Sequence, residues 1–477
     1  MNERDPLKDI ELLILSRYCI IFLDTVEEER AETLLKHLAD HLRLPFFSWT
    51  RTKGLGREEV KGHVYVSADP SIALTHIEHS QLPAIYHFQG LGDYLEDKLI
   101  VSKLKDAAIN FSKRSGAIII TGDDNIPDIL RPISAKIELI APRIEEYSEL
   151  LNNIIRDLNV RMNVKVEISP EDTNRLLNNI KGLTLMEAEK IFTMLIVEDG
   201  RLSPEDIRQV VEAKKGIVER EGLLEYYPVE ESMADIADVL GLKSWLAKRR
   251  NIVTDPKRAS DFGLSFPKGV LLLVVPGCGK SLCAKAVAME WGLPLLKLDP
   301  SNLYNKYIGE SERNFKKAMK TAERLAPIIL WIDEIEKAFS SSDTTEDNGV
   351  SLRIFGSFLS WLQDRKGDVF IVATANDVMK LPPEFLRKGR FDEIFFIDLP
   401  NPEARKSIFD IHLKKRGKQP HLFNVTLLVE TTEGFSGSEI EQVIVSGLYS
   451  AFSAKTELST QMLLEEISLT HPLSVTM

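Results

Sequence analysis

The stretch K-G-V-L-L-L-V-V-P-G-C-G-K-S-L, residues 268–282, decides how the rest of this chain is read. The apolar run Val270–Val275 predicts a buried parallel strand. A tight loop of Pro276, Gly277, Cys278 and Gly279 follows, and Lys280, Ser281 and Leu282 open a helical pattern. This is one residue short of the phosphate-binding pattern G-x-x-x-x-G-K-[ST]. Such a loop works because successive backbone N–H groups and a helix N-terminus converge on one anion. Glycine lets the chain turn with no Cβ in the way. Residues Pro276 to Leu282 would wrap the phosphates, with Lys280 neutralising the β- and γ-phosphates and the Ser281 hydroxyl holding Mg²⁺. The departure is Val274, which stands where the pattern has its first glycine.

Ile328–Ile332 (I-I-L-W-I) predicts a second buried strand, and it ends in Asp333-Glu334. Acidic residues at the C-terminal end of a parallel strand face the ligand crevice. Asp333 would hold the metal, and Glu334 would polarise an attacking water. Val369–Ala375 predicts a third strand, with Asn376 at its end, where the amide can bond that water or the γ-phosphate. Leu386-Arg387-Lys388-Gly389-Arg390-Phe391-Asp392 comes next. Arg387 and Arg390 would reach the γ-phosphate of a neighbouring subunit, a task suited to a forked cation that never loses its charge. Lys306-Tyr307-Ile308 places an aromatic on a loop between these regions, where it makes poor packing material for a surface.

The first half alternates strands and helices. Strands are expected at 18–23, 44–49, 84–88, 117–121 and 137–140, and helices at 144–158 and 170–195, the latter N-capped by Ser169. That order predicts a parallel α/β sheet with right-handed crossovers. The turn at Asp24-Thr25 has neither glycine nor lysine and should hold no phosphate. The second half repeats the order. Ala117–Asp124 matches Val369–Asn376, Ile137–Pro142 matches Phe396–Pro400, and Lys181–Glu189 matches Glu433–Glu441. The charged segment 214–232 reads as a helix running into a linker, which puts a domain boundary at Tyr227-Pro228.

A chain of 477 residues is too long for one core. With 44% apolar and 28% charged residues it reads as globular. A net charge of −12 disfavours non-specific nucleic-acid binding. The short basic clusters at 248–250 and 414–416 read as solvated helix faces. Cys19, Cys278 and Cys283 form no disulfide framework or metal spacing, which fits a reducing, cytoplasmic setting. The His37/His41 and His76/His79 pairs lack a joining carboxylate or thiol and read as surface positions. The start carries no secretory signal, and no apolar run approaches the roughly 18 residues of a membrane span.

Together these residues resemble the AAA family of ring ATPases, over about Asp235 to Phe452. The likeness extends in particular to the uncharacterised AAA proteins of algal plastid genomes and cyanobacteria. These share an inactive-looking first half and the run L-P-P-E-F-L-R-K-G-R-F-D-E at 381–393. By that resemblance Lys280 and Ser281 belong to Walker A, Asp333 and Glu334 to Walker B, Asn376 to sensor 1, and Arg387 and Arg390 to the arginine fingers. Tyr307 falls on the pore-loop aromatic that grips an extended chain. Ile236 and Ala237 fall on the segment holding adenine, and Gly437 on the lid turn facing the nucleotide. The resemblance implies two tandem P-loop NTPase-like modules, each a parallel sheet with helices and a small helical lid, the first degenerate. The expected division is a degenerate module over 1–228, an ATPase α/β subdomain over 229–398 and a helical lid over 399–477. It further implies ATP and Mg²⁺ as cofactors and a homo-oligomer, six being the usual ring size, that remodels a protein partner. An ATP-binding scaffold with little hydrolysis is the alternative, favoured by Val274 alone.

Overall fold

The computed structural model describes residues 6–57, 60, 62, 64, 66–80, 82–109, 116–122, 126–220, 222–227, 240–300, 310–339, 348–365, 367–472 and 474. The chain divides into two compact units, Met1–Asp206 and Ile207–Met477.

The first unit is built on the strands β1 (Ile20–Asp24), β2 (Phe46–Thr50), β3 (Gly54–Arg57), β4 (Ile85–Gln89), β5 (Ala117–Thr121) and β6 (Ser134–Glu138). They lie in the order β3-β2-β4-β5-β1-β6, with β3 antiparallel and the rest parallel. A small parallel pair, β7 (Lys165–Val166) and β8 (Arg201–Leu202), joins the ends of the unit's helical lid. The second unit is built on β9 (Leu224–Tyr227), β10 (Gly269–Val274), β11 (Leu295–Leu298), β12 (Ile328–Ile332), β13 (Val369–Ala375) and β14 (Glu393–Ile397). Their order is β9-β11-β12-β13-β10-β14, with β9 antiparallel. Number the five parallel strands of each unit by their place in the chain, and both sheets read second, third, fourth, first, fifth. The repeat seen in the sequence is therefore a repeat of topology.

Both sheets are covered on both faces, which is why their strands read as unbroken apolar runs. Along β10, Leu271 joins the core on one face, while Val270, Leu272 and Val274 join the core on the other. In β1, Ile20 and Phe22 divide from Ile21 and Leu23 in the same way.

Four expectations need correction. The fifth strand of the first unit is Ser134–Glu138, earlier than 137–140. The first unit's helix after Asp24-Thr25, expected to be capped by one of those two side chains, is Glu28–Leu42, with Glu27 at its N-cap position and no side-chain cap. The helix over 170–195 is two, Pro170–Ile180 and Leu185–Asp199, broken where Gly182 takes φ +88° and Thr184 starts a new capping box with Glu187. Ser169 does cap the first of them, accepting from Asp172 N. Lastly, the expected helix is there, as Asp206–Glu219, but the linker expected between it and Pro228 holds the strand β9. Val218, Leu224 and Tyr226 pack into the core of the second unit, so the compact division lies at Asp206/Ile207.

At the turn after β1 the first unit has side-chain ion pairs instead of a glycine loop. Arg30 forks onto Glu146 at 3.0 and 3.0 Å, and its Nη1 reaches Glu27 Oε2 at 3.1 Å and the Ile140 carbonyl at 2.7 Å. Glu27 Oε1 accepts from Leu185 N at 2.8 Å, at the first turn of the lid helix Leu185–Asp199. The side chains of Arg30 and Glu27 are only 9% and 10% exposed. One buried guanidinium thus ties the sheet, the hinge and the lid together.

Candidate functional site

Between β10 and the helix Lys280–Trp291 the chain turns through Gly277 at φ +83° and Gly279 at φ +87°, a region that disfavours any residue with a Cβ. Gly279 is the N-cap residue and supplies no side chain, so no side-chain cap bonds the first-turn N–H groups of the helix. Those donors and the positive end of the helix dipole open on a cleft of about 740 Å³. Gly277, Cys278, Gly279, Lys280, Ser281 and Leu282 line one side. The end of β14 with Ile397 and Leu399, and the lid residues Ile408, Ile411, His412 and Gly437, line the other. Pro276 lies in the turn itself.

The lid docks directly on the loop. Ser438 N donates to the Gly277 carbonyl at 3.2 Å, in the first turn of the helix Gly437–Ala454. A Cβ on Gly277 would come within 2.6 Å of both Ser436 Oγ and Ser438 Oγ.

The acidic pair follows β12, beside β13. Ile332 faces Ala373 across the ladder, so the next step sets Asp333 beside Thr374. Thr374 Oγ1 donates to Asp333 Oδ1 at 2.8 Å and accepts from Glu334 N at 3.2 Å. Glu334 holds φ +49°, uncommon for a residue with a side chain. Lys280 Nζ donates to Glu334 Oε1 at 2.8 Å and to Asn376 Oδ1 at 2.8 Å, and Asn376 Nδ2 donates to the same Glu334 oxygen at 2.8 Å. Lys337 pairs with the other Glu334 oxygen. The hydrogen bond from Lys280, then that from Lys337, hold the Glu334 carboxyl down at about 2, so it is a carboxylate at neutral pH. The Asn376 backbone N–H is taken by Glu336 Oε1 at 2.9 Å. The structure therefore gathers Lys280, Glu334 and Asn376 into one cluster at the mouth of the loop. Asp333 and Ser281 offer only oxygen, the donor chemistry a hard divalent cation such as Mg²⁺ takes.

Arg387 and Arg390 are not in that cluster. Their segment sits at the opposite end of β10, where Lys268 Nζ donates to the Gly389 carbonyl at 2.7 Å and Asp392 N to the Gly269 carbonyl at 2.8 Å. The strand Gly269–Val274 separates them from the glycine loop, about 20 Å at ~3.3 Å per residue. Arg387 is exposed, and Arg390 Nη1 is buried without a hydrogen-bond partner.

Val274 belongs to the strand. It pairs with Ile397, is 2% exposed and packs in the core with Trp245 and Cys283. Burial pushes the Cys278 thiol up to about 11 and that of Cys283 to about 12, so both are neutral at physiological pH. Among the described residues no group of three or more His, Cys, Asp or Glu could hold a metal, and no helix is long and apolar enough to cross a membrane. Ile236, Ala237 and Tyr307 lie outside the described residues. Sequence reasoning missed Thr374, Glu336 and Lys337, and it placed Ser438 with Gly437 on the lid turn without its bond to Gly277. Only the short spacings in D-E-I-E-K and A-T-A-N carried any signal for the first three.

Comparison with known proteins agrees with this geometry. Residues 270–399 match the family model "ATPase family associated with various cellular activities (AAA)". Residues 6–139 match the N-terminal domain, and 145–221 the second domain, of SpoVK-like AAA ATPases. The chain is 38% identical to an uncharacterized AAA domain-containing protein, ycf46, of Trieres chinensis, over 95% of this chain and 90% of that protein. It is 36% identical to the ycf46 protein of Pyropia yezoensis, over 98% and 94%. A proteasome-activating nucleotidase of Saccharolobus solfataricus is 32% identical over 50% of this chain and 63% of that protein. With the tandem sheets, the glycine loop and likeness along nearly its full length all in agreement, this chain belongs to the AAA ATPase family.

Proposed function

We propose that the second unit binds ATP with Mg²⁺ and hydrolyses it at sites shared between copies in a ring, and that this drives remodelling of a protein partner. The observation that carries this reading is the meeting of Lys280, Glu334 and Asn376 within 2.8 Å of one another at an uncapped helix N-terminus. The loop amides and Lys280 would bind the β- and γ-phosphates. Asp333 and Ser281 would hold Mg²⁺, which supplies charge neutralisation at the phosphates when bound. Once Lys280 turns to phosphate, Glu334 would lose the hydrogen bond from it, and its carboxylate would be freed to orient water. Asn376, held by Glu336, would position that water. The apolar wall of Ile397, Leu399, Ile408 and Ile411 suits a purine base.

Arg390 supports the shared site. It lies about 20 Å from the loop of its own chain, beyond the reach of its side chain, so a finger role requires a second copy. The likeness to proteins named proteasome-activating nucleotidases supports the ring and the protein partner, which Tyr307 would contact. The placement of Val274 in the strand core weighs against a non-hydrolysing scaffold, which that residue alone favours. Steady-state phosphate release by the full chain, beside Glu334→Gln, tests the reading: the wild type should turn over and the variant should not. Equal background release from both would overturn it.

A further inference from the structure

Thr374 is the polar exception in an otherwise apolar strand, Val369–Ala375, and it is fully buried. A buried hydroxyl is costly unless bonded, and this one is bonded on both sides. It accepts from Glu334 N at 3.2 Å, and because an amide can only donate, the hydroxyl proton is left for Asp333 Oδ1 at 2.8 Å. The strand register fixes the arrangement, since the pair Ile332–Ala373 places Asp333 and Thr374 side by side.

Each bond constrains a different acidic residue. Engaging Oδ1 stops the Asp333 carboxylate from turning and leaves its other oxygen for a cation. Holding Glu334 N stabilises the left-handed backbone at φ +49° and so sets the direction in which the Glu334 side chain leaves the strand. We infer that Thr374 is a positioning residue whose single hydroxyl aims the metal-binding and water-activating carboxylates together. Valine would fill the same space and do neither. Serine would do both with one methyl fewer. The inference rests on the hydrolysis reading for Glu334, but its Asp333 half stands on metal binding alone.

The test compares full-length wild type, Thr374→Val and Thr374→Ser. Three quantities are read: the Mg²⁺ concentration giving half-maximal binding of a fluorescent ATP analogue, the phosphate-release rate and the thermal midpoint. Supporting partners of a metal ligand typically cost about 10–100-fold in affinity or activity when lost. Thr374→Val should raise the Mg²⁺ requirement by about tenfold or more and lower turnover by about a hundredfold, while Thr374→Ser stays near wild type on both. A valine variant with the wild-type Mg²⁺ requirement would overturn the inference. So would valine and serine variants impaired alike in step with a lowered thermal midpoint, because the residue would then serve packing alone. A wild-type chain without turnover sinks the hydrolysis reading instead, and the Mg²⁺ titration still decides the role of Thr374.

Discussion

Lys280 Nζ sits 2.8 Å from Glu334 Oε1, so the cation of the glycine loop and the acid of the facing strand neutralise each other. Lys280→Ala should weaken binding of a fluorescent ATP analogue by about a hundredfold or more, since a charge-assisted phosphate contact is lost. The same pair has a pH signature. The Glu334 carboxyl falls from 4.5 to about 2, chiefly through the Lys280 hydrogen bond. Its contribution to stability is complete above pH 4.5 and is lost as the pH falls toward 2. In acid unfolding over that window the wild type should lose more stability than Lys280→Ala. Parallel curves would show that the pair contributes nothing.

Gly277→Ala places a Cβ 2.6 Å from two serine hydroxyls and at a φ of +83°. The strain falls where lid and loop meet, so nucleotide affinity should drop at least about tenfold while both sheets stay folded. Unchanged affinity by fluorescence titration would mean that the lid moves aside without cost.

Val274→Gly restores the family residue but empties a core position. Loss of the buried side chain and the added chain entropy should cost about 3 kcal/mol. Nucleotide affinity should not improve. A gain in affinity would show that the valine obstructs the loop.

Arg390→Ala should bind nucleotide normally yet lose about 10³ or more in turnover. Mixed with Lys280→Ala, which retains its arginines, it should recover part of the lost activity. Failure of the mixture to exceed either variant alone would argue against a site built from two copies.

Arg30→Met leaves two carboxylates facing each other inside the first unit. Breaking such a buried cluster should cost about 3 kcal/mol, read as faster hydrogen exchange in the helices Ile144–Asn159 and Leu185–Asp199. Wild-type exchange rates would mean that apolar packing alone holds the lid.

The parts legible in the sequence were those written contiguously. Val270 to Ser281 spells strand, turn and helix in one line, and Asp333-Glu334 ends an apolar run, so both were readable without a partner. Thr374 and Glu336 were not, because their roles depend on which residues the neighbouring strand sets opposite. Ser438 meets Gly277 only once the lid is folded, a pairing no local pattern encodes. The strand β3, G-L-G-R, escaped notice because two glycines in four residues carry almost no strand preference. The strand β9 was hidden behind a charged helix and looked like the end of a linker.

The guanidinium of Arg30 has a consequence for how the chain can work. A hinge tied by the protein's own side chains is fastened by groups the chain carries with it, without calling on a small molecule to hold it. Whatever nucleotide does in the second unit, the seat of the first unit's own lid on its own sheet is fastened by Arg30, Glu27 and Glu146.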